Sequence, residues 1–236
     1  MNDILGKALI DFWNKKYTED IITTSNITDE DEMPLPYLFR RWKDMPELEQ
    51  IALNSCKGKV LDIGCGSGSH SLELQNKNVD VTAIDISKGA CRVASARGVK
   101  KVVNSPLSDF DGEKFDTLLL LMNGIGLAET IENLPNFLEK LKSLLNEGGQ
   151  IILDSSDIAY MFEDEDGSMW IDLGREYYGE MTFEMHYKKQ SSDKFDWLYI
   201  DFAKLAEIAE TVGLKCELIK EGEHFDYLAR LSKSSN

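Results

Sequence analysis

Residues 59–70 read KVLDIGCGSGSH, and no other stretch restricts the fold as much. An apolar run, Val60, Leu61 and Ile63, carries Asp62 and meets a turn in which Gly64, Gly66 and Gly68 alternate with small residues. A strand turns sharply into a helix only through unusual φ/ψ angles, and a ligand reaches the main chain only where side chains are absent. The pattern therefore predicts a buried strand, a glycine turn, and a helix over residues 69–75 whose free N–H groups point into a pocket. Cys65, between two of the glycines, reads as a small residue that fits the turn, not as a nucleophile.

Spacing narrows the ligand. A dinucleotide turn reads G-x-G-x-x-G; here Ser69 stands where the third glycine would fall and Gly68 comes one residue early, which weakens that reading. Residues 79–84 alternate as a second strand into Asp85, about 20 residues past the first glycine, where a carboxylate can grip both hydroxyls of a ribose. Asp85 also reads as a helix N-cap, because Ser87 and Lys88 open the next helical pattern. Asp62 and Asp85, at the ends of two predicted parallel strands separated by one helix, share the carboxyl edge of a sheet, where α/β ligands bind.

The alternation continues. Residues 115–122 (FDTLLLLM) form a buried strand, 131–145 an amphipathic helix ended by Gly148 and Gly149, and 150–154 another strand. Residues 201–212 read as a helix with Phe202, Leu205, Ile208, Ala209 and Val212 inward, capped by Gly213 and followed by strands over 214–220 and 225–231.

The D-x-G-x-G-x-G turn after an apolar strand resembles the nucleotide-loop signature of class I S-adenosylmethionine-dependent methyltransferases. The resemblance covers residues 58–157 in order and resumes at the C-terminus. It is more specific in a subgroup of small members, in which the fourth strand is followed by MNGIGLA, here residues 122–128, and the fifth ends in DSSD, here 154–157. It implies a Rossmann-like, doubly wound α/β sheet of seven strands, mostly parallel with an antiparallel C-terminal strand. It also implies S-adenosyl-L-methionine as cofactor, bound at Asp62, Gly64, Cys65, Gly66, Gly68 and Asp85, with Ile86 and Leu107 as apolar flanks of the adenine and Asn123 nearby. One departure stands out: such enzymes commonly place an acidic residue after the third strand to receive the adenine amino group, and here Ser105 and Pro106 occupy that place. Ser105 can still accept one hydrogen bond, and Asp109 or a backbone group can take over.

Two appendages surround this core, giving an arm over residues 1–57 and a cofactor-binding domain over 58–236. In the arm, Ile4, Leu5, Ala8, Leu9, Phe12 and Trp13 share one helical face; an acidic loop and then MPLPYLFRRW (33–42) follow, extended by Pro34 and Pro36. It packs as a structural arm or closes as a helical lid, in which case the family likeness brings Tyr37 or Arg40 to the methionine carboxylate or the substrate. The second appendage is a hairpin over about residues 177–200, with Met181, Phe183, Met185 and Tyr187 on one face and FDWLYI (195–200) as partner strand. It covers the substrate or pairs with another subunit in a homodimer. Alternation puts His186 on the opposite, surface face, and His224 has no better claim to act as a base.

Charge limits the partners. With 42 acidic against 26 basic side chains, a net charge of −16, the chain is poorly suited to replacing the counterions of a nucleic acid. The acids cluster in TDEDE (28–32) and EDED (163–166), read as solvated loops or, alternatively, as a pocket mouth that attracts a cationic substrate such as an amine. No apolar run reaches the ~20 residues of a membrane span, and no basic-then-apolar leader is present, so a cytoplasmic location is expected. Four cysteines, Cys56, Cys65, Cys91 and Cys216, show neither CxxC pairing nor a zinc-ligand spacing. The leading reading is in-line methyl transfer to a small-molecule acceptor. The alternatives are a protein methyltransferase, if the appendages leave an open groove, and a non-catalytic S-adenosylmethionine-binding module. Asn123, Asp154 and Tyr37 are the residues expected to touch the acceptor; no general base is fixed.

Overall fold

A computed structural model describes residues 2–162 and 176–234. In chain order the strands are β1 (Ile21–Ser25), β2 (Asp31–Met33), β3 (Lys59–Ile63), β4 (Asp80–Asp85), β5 (Val102–Asn104), β6 (Phe115–Leu120), β7 (Leu145–Ser156), β8 (Glu180–Tyr187), β9 (Gln190–Ser191), β10 (Phe195–Leu198), β11 (Leu214–Glu221) and β12 (Asp226–Lys233). The helices are α1 (Ile4–Trp13), α2 (Leu35–Leu38), α3 (Glu47–Ser55), α4 (Ser69–Asn76), α5 (Lys88–Arg97), α6 (Leu134–Ser143) and α7 (Phe202–Thr211).

The larger sheet has seven strands in the order β11-β12-β7-β6-β3-β4-β5, parallel except at β12 and β11. This is the Rossmann-like, doubly wound arrangement that the family resemblance implies. Its central strands are apolar on both faces because helices cover both. Leu118 and Leu120 of β6 and Ile151 and Leu153 of β7 pack with α6 and α7, whereas Leu119 and Ile152, one residue out of phase, pack with α3 and α4.

The arm departs from the helical lid that the sequence suggests. Its β1 and β2 join the inserted hairpin in a second, antiparallel sheet of order β10-β8-β1-β2, with β9 paired to β8. The hairpin strand β8 thus has a partner on each side from its own chain. Residues 33–42 are not extended throughout either: Pro34 is extended, but α2 begins at Leu35 with Pro36 in its first turn, where a missing N–H costs nothing.

Helix α1 is fastened to the core by one carboxylate. Asp3 caps its own helix by accepting from Gly6 N (2.9 Å), and accepts from Ser87 Oγ (2.7 Å) and Gly89 N (2.9 Å) at the start of α5. A Cβ on Gly89 would lie 2.4 Å from Gly6 Cα, so the two helices touch main chain to main chain. That contact anchors the arm two residues from Asp85. The acidic stretch 163–166 lies outside the described residues.

Candidate active site

The glycine turn folds as its composition requires. Gly64, Gly66 and Gly68 adopt φ of +75°, +53° and +82°, and the N–H groups of Gly64 and Cys65 return to the Ile84 carbonyl at 2.9 and 3.1 Å. Asp85 accepts from Gly66 N and from Ser87 N, both at 2.8 Å. The cap of α5 is Ser87, whose hydroxyl accepts from Ala90 N (2.9 Å), so the capping role open to Asp85 in the sequence is taken by its neighbour. Burial pushes the Asp85 carboxyl up, opposed by the two N–H bonds. Asp62, fully enclosed, is also pushed up by burial while accepting from Ser71 Oγ at 2.5 Å. Burial raises the Cys65 thiol as well, which disfavours the thiolate that a nucleophile needs.

A cavity of about 400 Å³ opens beside this turn. Asp62, Gly64, Cys65, Gly66 and Ser67 border one side, and Tyr37, Leu38 and Arg40 of the arm form a wall. Opposite stand Phe183, Met185, Phe195, Trp197 and Tyr199, the apolar face of the second sheet. The wall is sewn to the turn: the Ser67 and Ser69 hydroxyls donate to the Leu38 carbonyl, and Arg97 reaches Ser67 O (2.9 Å) and Phe39 O (3.3 Å).

Behind the wall lies a buried ionic cluster. Arg40 grips Glu49 through Nε (2.9 Å) and Nη2, donates to the Tyr37 carbonyl (2.8 Å), and stacks its guanidinium 4.1 Å from the Tyr37 ring centre. His70 Nε2 hydrogen-bonds the same carboxylate at 3.1 Å, and the His70 side chain borders the cavity. Burial alone would raise the Glu49 carboxyl, but bonds from His70 and Arg40 outweigh it and hold it low. Neither Glu49 nor His70 was singled out from the sequence. His70 ends the glycine-turn motif itself and could have been noticed there; nothing in the ELEQ run marks Glu49.

The remaining expected site residues separate into two groups. Ile86, Ser105 and Leu107 gather with Asp85 at the carboxyl ends of β4 and β5, outside the 400 Å³ cavity but joined to it through the Asp85–Gly66 bond. Ile86 is 63% exposed, an apolar surface at the sheet edge, and Asn104 Nδ2 fixes its turn through the Asp85 and Ile86 carbonyls. Ser105 Oγ is 3.0 Å from the Pro106 carbonyl.

Asn123 and Asp154 do not border the cavity, and both are hydrogen-bonded within the protein. Asn123 Nδ2 donates to Leu198 O (3.0 Å) and its Oδ1 accepts from Ser155 Oγ (2.9 Å), tying the second sheet to β7. Asp154 accepts from Met122 N (3.0 Å) and Gly124 N (3.1 Å). The cause is the left-handed conformation of Met122 and Asn123 (φ +67° and +55°), which turns two N–H groups onto one carboxylate. Burial raises the Asp154 carboxyl to about 6. Met122 and Gly124 border the cavity in their place. Further along the same loop, a Cβ on Gly126 would lie 2.1 Å from the Trp197 indole nitrogen, so this glycine is the seat of that ring.

Comparison with known proteins agrees with this geometry. The family described as Methyltransferase domain matches residues 36–217. A crystal structure of an S-adenosylmethionine-dependent methyltransferase from Bacteroides fragilis, in complex with S-adenosyl-L-homocysteine, is 46% identical. It covers 99% of this chain and 95% of that one, with a TM-score of 0.93. This chain belongs to the class I S-adenosylmethionine-dependent methyltransferases. An uncharacterized methyltransferase of Staphylococcus carnosus is 24% identical over 93% of this methyltransferase and 97% of its own length. A ubiquinone biosynthesis O-methyltransferase of Rickettsia conorii is 27% identical over 46% of this chain; the methyltransferase spans only 38% of that relative. Among the described residues no helix is long and apolar enough to cross a membrane, and no group of three metal-ligating side chains occurs.

Proposed function

We propose that this methyltransferase transfers a methyl group from S-adenosylmethionine to a small-molecule acceptor in the cytoplasm. The observation that carries the reading is the 400 Å³ cavity between the glycine turn and the second sheet, a volume suited to a small ligand, with the arm bonded to the glycine turn at Leu38. Bound S-adenosylmethionine supplies a methyl group already activated by its sulfonium. The chain then has to align the two partners and exclude water.

The residues fit that cofactor. Each Asp85 oxygen accepts one N–H and keeps a lone pair for a ribose hydroxyl. The Gly66 Cα has open space around it, so an approaching ligand meets main chain only. Ile86 and Leu107 flank the adenine, Ser105 receives its amino group, and Asp62 with the turn faces the methionine end. Tyr37 and Arg40 close that end. The arm (1–57) and the hairpin (177–200) act together as one cover on the cofactor-binding domain.

Calorimetry tests the cofactor and a methyl-labelled acceptor screen tests the rest. S-adenosylmethionine and its demethylated product should bind, and NAD should not. Tight NAD binding without a response to S-adenosylmethionine would overturn the assignment, and label in protein but not in small molecules would replace the acceptor class.

A further inference from the structure

The cross-strand register fixes which side chains of the second sheet face the cavity. Thr23 of β1 lies opposite Asp31 of β2 on one side and Met185 of β8 on the other, and Phe183 of β8 lies opposite Phe195 of β10. Period-two alternation puts Asp31, Met33, Thr23, Met185, Phe183 and Phe195 on one face, and all of them border the cavity. Trp197 continues the row, with ring centres 6.3 Å apart from Phe195, and Phe183 stacks 6.1 Å from Phe195. Asp31 is the only charged side chain in this set. Its carboxylate has no hydrogen bond or ion pair among the described residues, and its carbonyl alone accepts from Thr23 Oγ1. Its field reaches the aromatic wall: after burial, Asp31 is the next cause that raises the Tyr199 phenol.

Among the described residues, the cavity's charge that lacks an ionic partner is negative. Among the described residues no lysine borders the cavity, and the one guanidinium that does, Arg40, is held by Glu49. An anionic acceptor would meet Asp31 without a free cation among the described residues to offset it. A cation would meet a carboxylate and electron-rich ring faces, which attract it further. A negative field also reduces the cost of bringing a second cation beside a sulfonium.

We propose that the acceptor is a primary or secondary amine on a flat apolar body, which enters as its ammonium ion past Asp31 and lays its body against Phe183, Phe195 and Trp197. The inference rests on the methyltransferase reading above. The ammonium releases one proton to solvent at the exposed Asp31 edge. The freed nitrogen lone pair forms the N–C bond as the C–S bond breaks, and its electron pair stays on sulfur. An N-methylammonium, a neutral thioether and one proton are the products, so charge and atoms balance.

The test uses the full chain saturated with S-adenosylhomocysteine and three probes of one shape: phenethylammonium, 2-phenylethanol and phenylacetate. The ammonium should bind about tenfold more tightly than the alcohol, and phenylacetate most weakly. Asp31→Asn should weaken the ammonium about fivefold and leave the alcohol unchanged. Equal binding of alcohol and ammonium, absence of ammonium binding at millimolar concentration, or unchanged discrimination in Asp31→Asn overturns the amine. Each of these results is read on protein that has already bound S-adenosylhomocysteine. If that first titration fails, the cofactor reading fails with it, and the two failures remain distinct.

Discussion

The two sides of the cavity are built from different materials. On the glycine-turn side the shape is set by main chain: φ angles near +50° to +80°, N–H groups returned to Ile84 and Asp85, and a helix that starts at Ser69. On the opposite side it is set by side chains carried on strands that come from two distant parts of the chain, residues 21–33 and 180–198. Main-chain geometry admits few residue types, so the ligand it fits can be read from spacing. Side-chain geometry depends on which strands pair, and a change of one residue there alters the acceptor without altering the fold. The cofactor side is therefore the one that spacing identifies, and the acceptor side the one where side-chain changes can alter the ligand.

The seam between the sides offers the largest expected effect. If the arm were only packed against the core, truncating Arg40 would remove some surface contact. Instead Arg40→Met would leave the Glu49 carboxylate buried with His70 as its remaining partner, and removal of one member of a buried pair costs ~3–5 kcal/mol. Chemical denaturation should show that loss, and Arg40→Met with Glu49→Leu should recover much of it. A drop below ~1 kcal/mol in the single variant would mean that the buried Arg40–Glu49 pair does not hold this region together.

The cofactor side is tested by Asp85. Two charge-assisted hydrogen bonds to a ribose, each worth about 1.5 kcal/mol, predict that Asp85→Ala weakens S-adenosylhomocysteine binding roughly 100-fold. Asp85→Asn should fall between that variant and wild type. Helix α5 keeps its Ser87 cap in both, so the fold should survive, although the Gly66 and Ser87 N–H groups lose an acceptor. Unchanged affinity in Asp85→Ala, measured by calorimetry, would remove the ribose from this carboxylate.

What the sequence disclosed follows the same division. The β3 strand, the turn, β4 into Asp85, and the β6–α6–β7 succession were legible because their apolar runs are long, but Gly148 and Gly149, read as the end of the helix, lie inside β7, and α6 stops at Ser143. The β1 and β2 strands were not legible. IITTS is short, DEM has the composition of a solvated loop, and they become strands only through pairing, β1 beside β8 and β2 beside β1. Pro34 and Pro36 suggested an extended stretch, yet proline is equally at home in a first helical turn. Asn123 and Asp154 were rightly placed at strand ends, but a polar side chain there can serve the backbone as well as a ligand. Sequence gives the position and not the φ angle of Met122, which decides between the two.

Asp154 supplies the finest test, because it holds the loop on which both sides depend and because its titration is separable from that of Glu49. Its folded value, about 6, lies above the ordinary 3.8, so its ionisation opposes folding. The stability linked to its proton is fully present below about pH 4 and is lost as pH rises through about 6. Glu49 behaves in the opposite sense: its carboxyl is held below 4.5, and the stability it contributes is present above that value and disappears as pH falls. The two windows meet near pH 4.5, so a wild-type melting profile alone mixes them. Subtraction separates them. Asp154→Asn cannot titrate, and its lost N–H bond to Met122 or Gly124 adds an offset that does not vary with pH. The wild-type melting temperature minus that of Asp154→Asn should therefore fall steadily between pH 4 and pH 6 and level off above 7. A difference that stays flat from pH 4 to 7 would mean that Asp154 titrates like an exposed carboxylate, and that the 122–124 loop is held by its own turn and not by the buried charge.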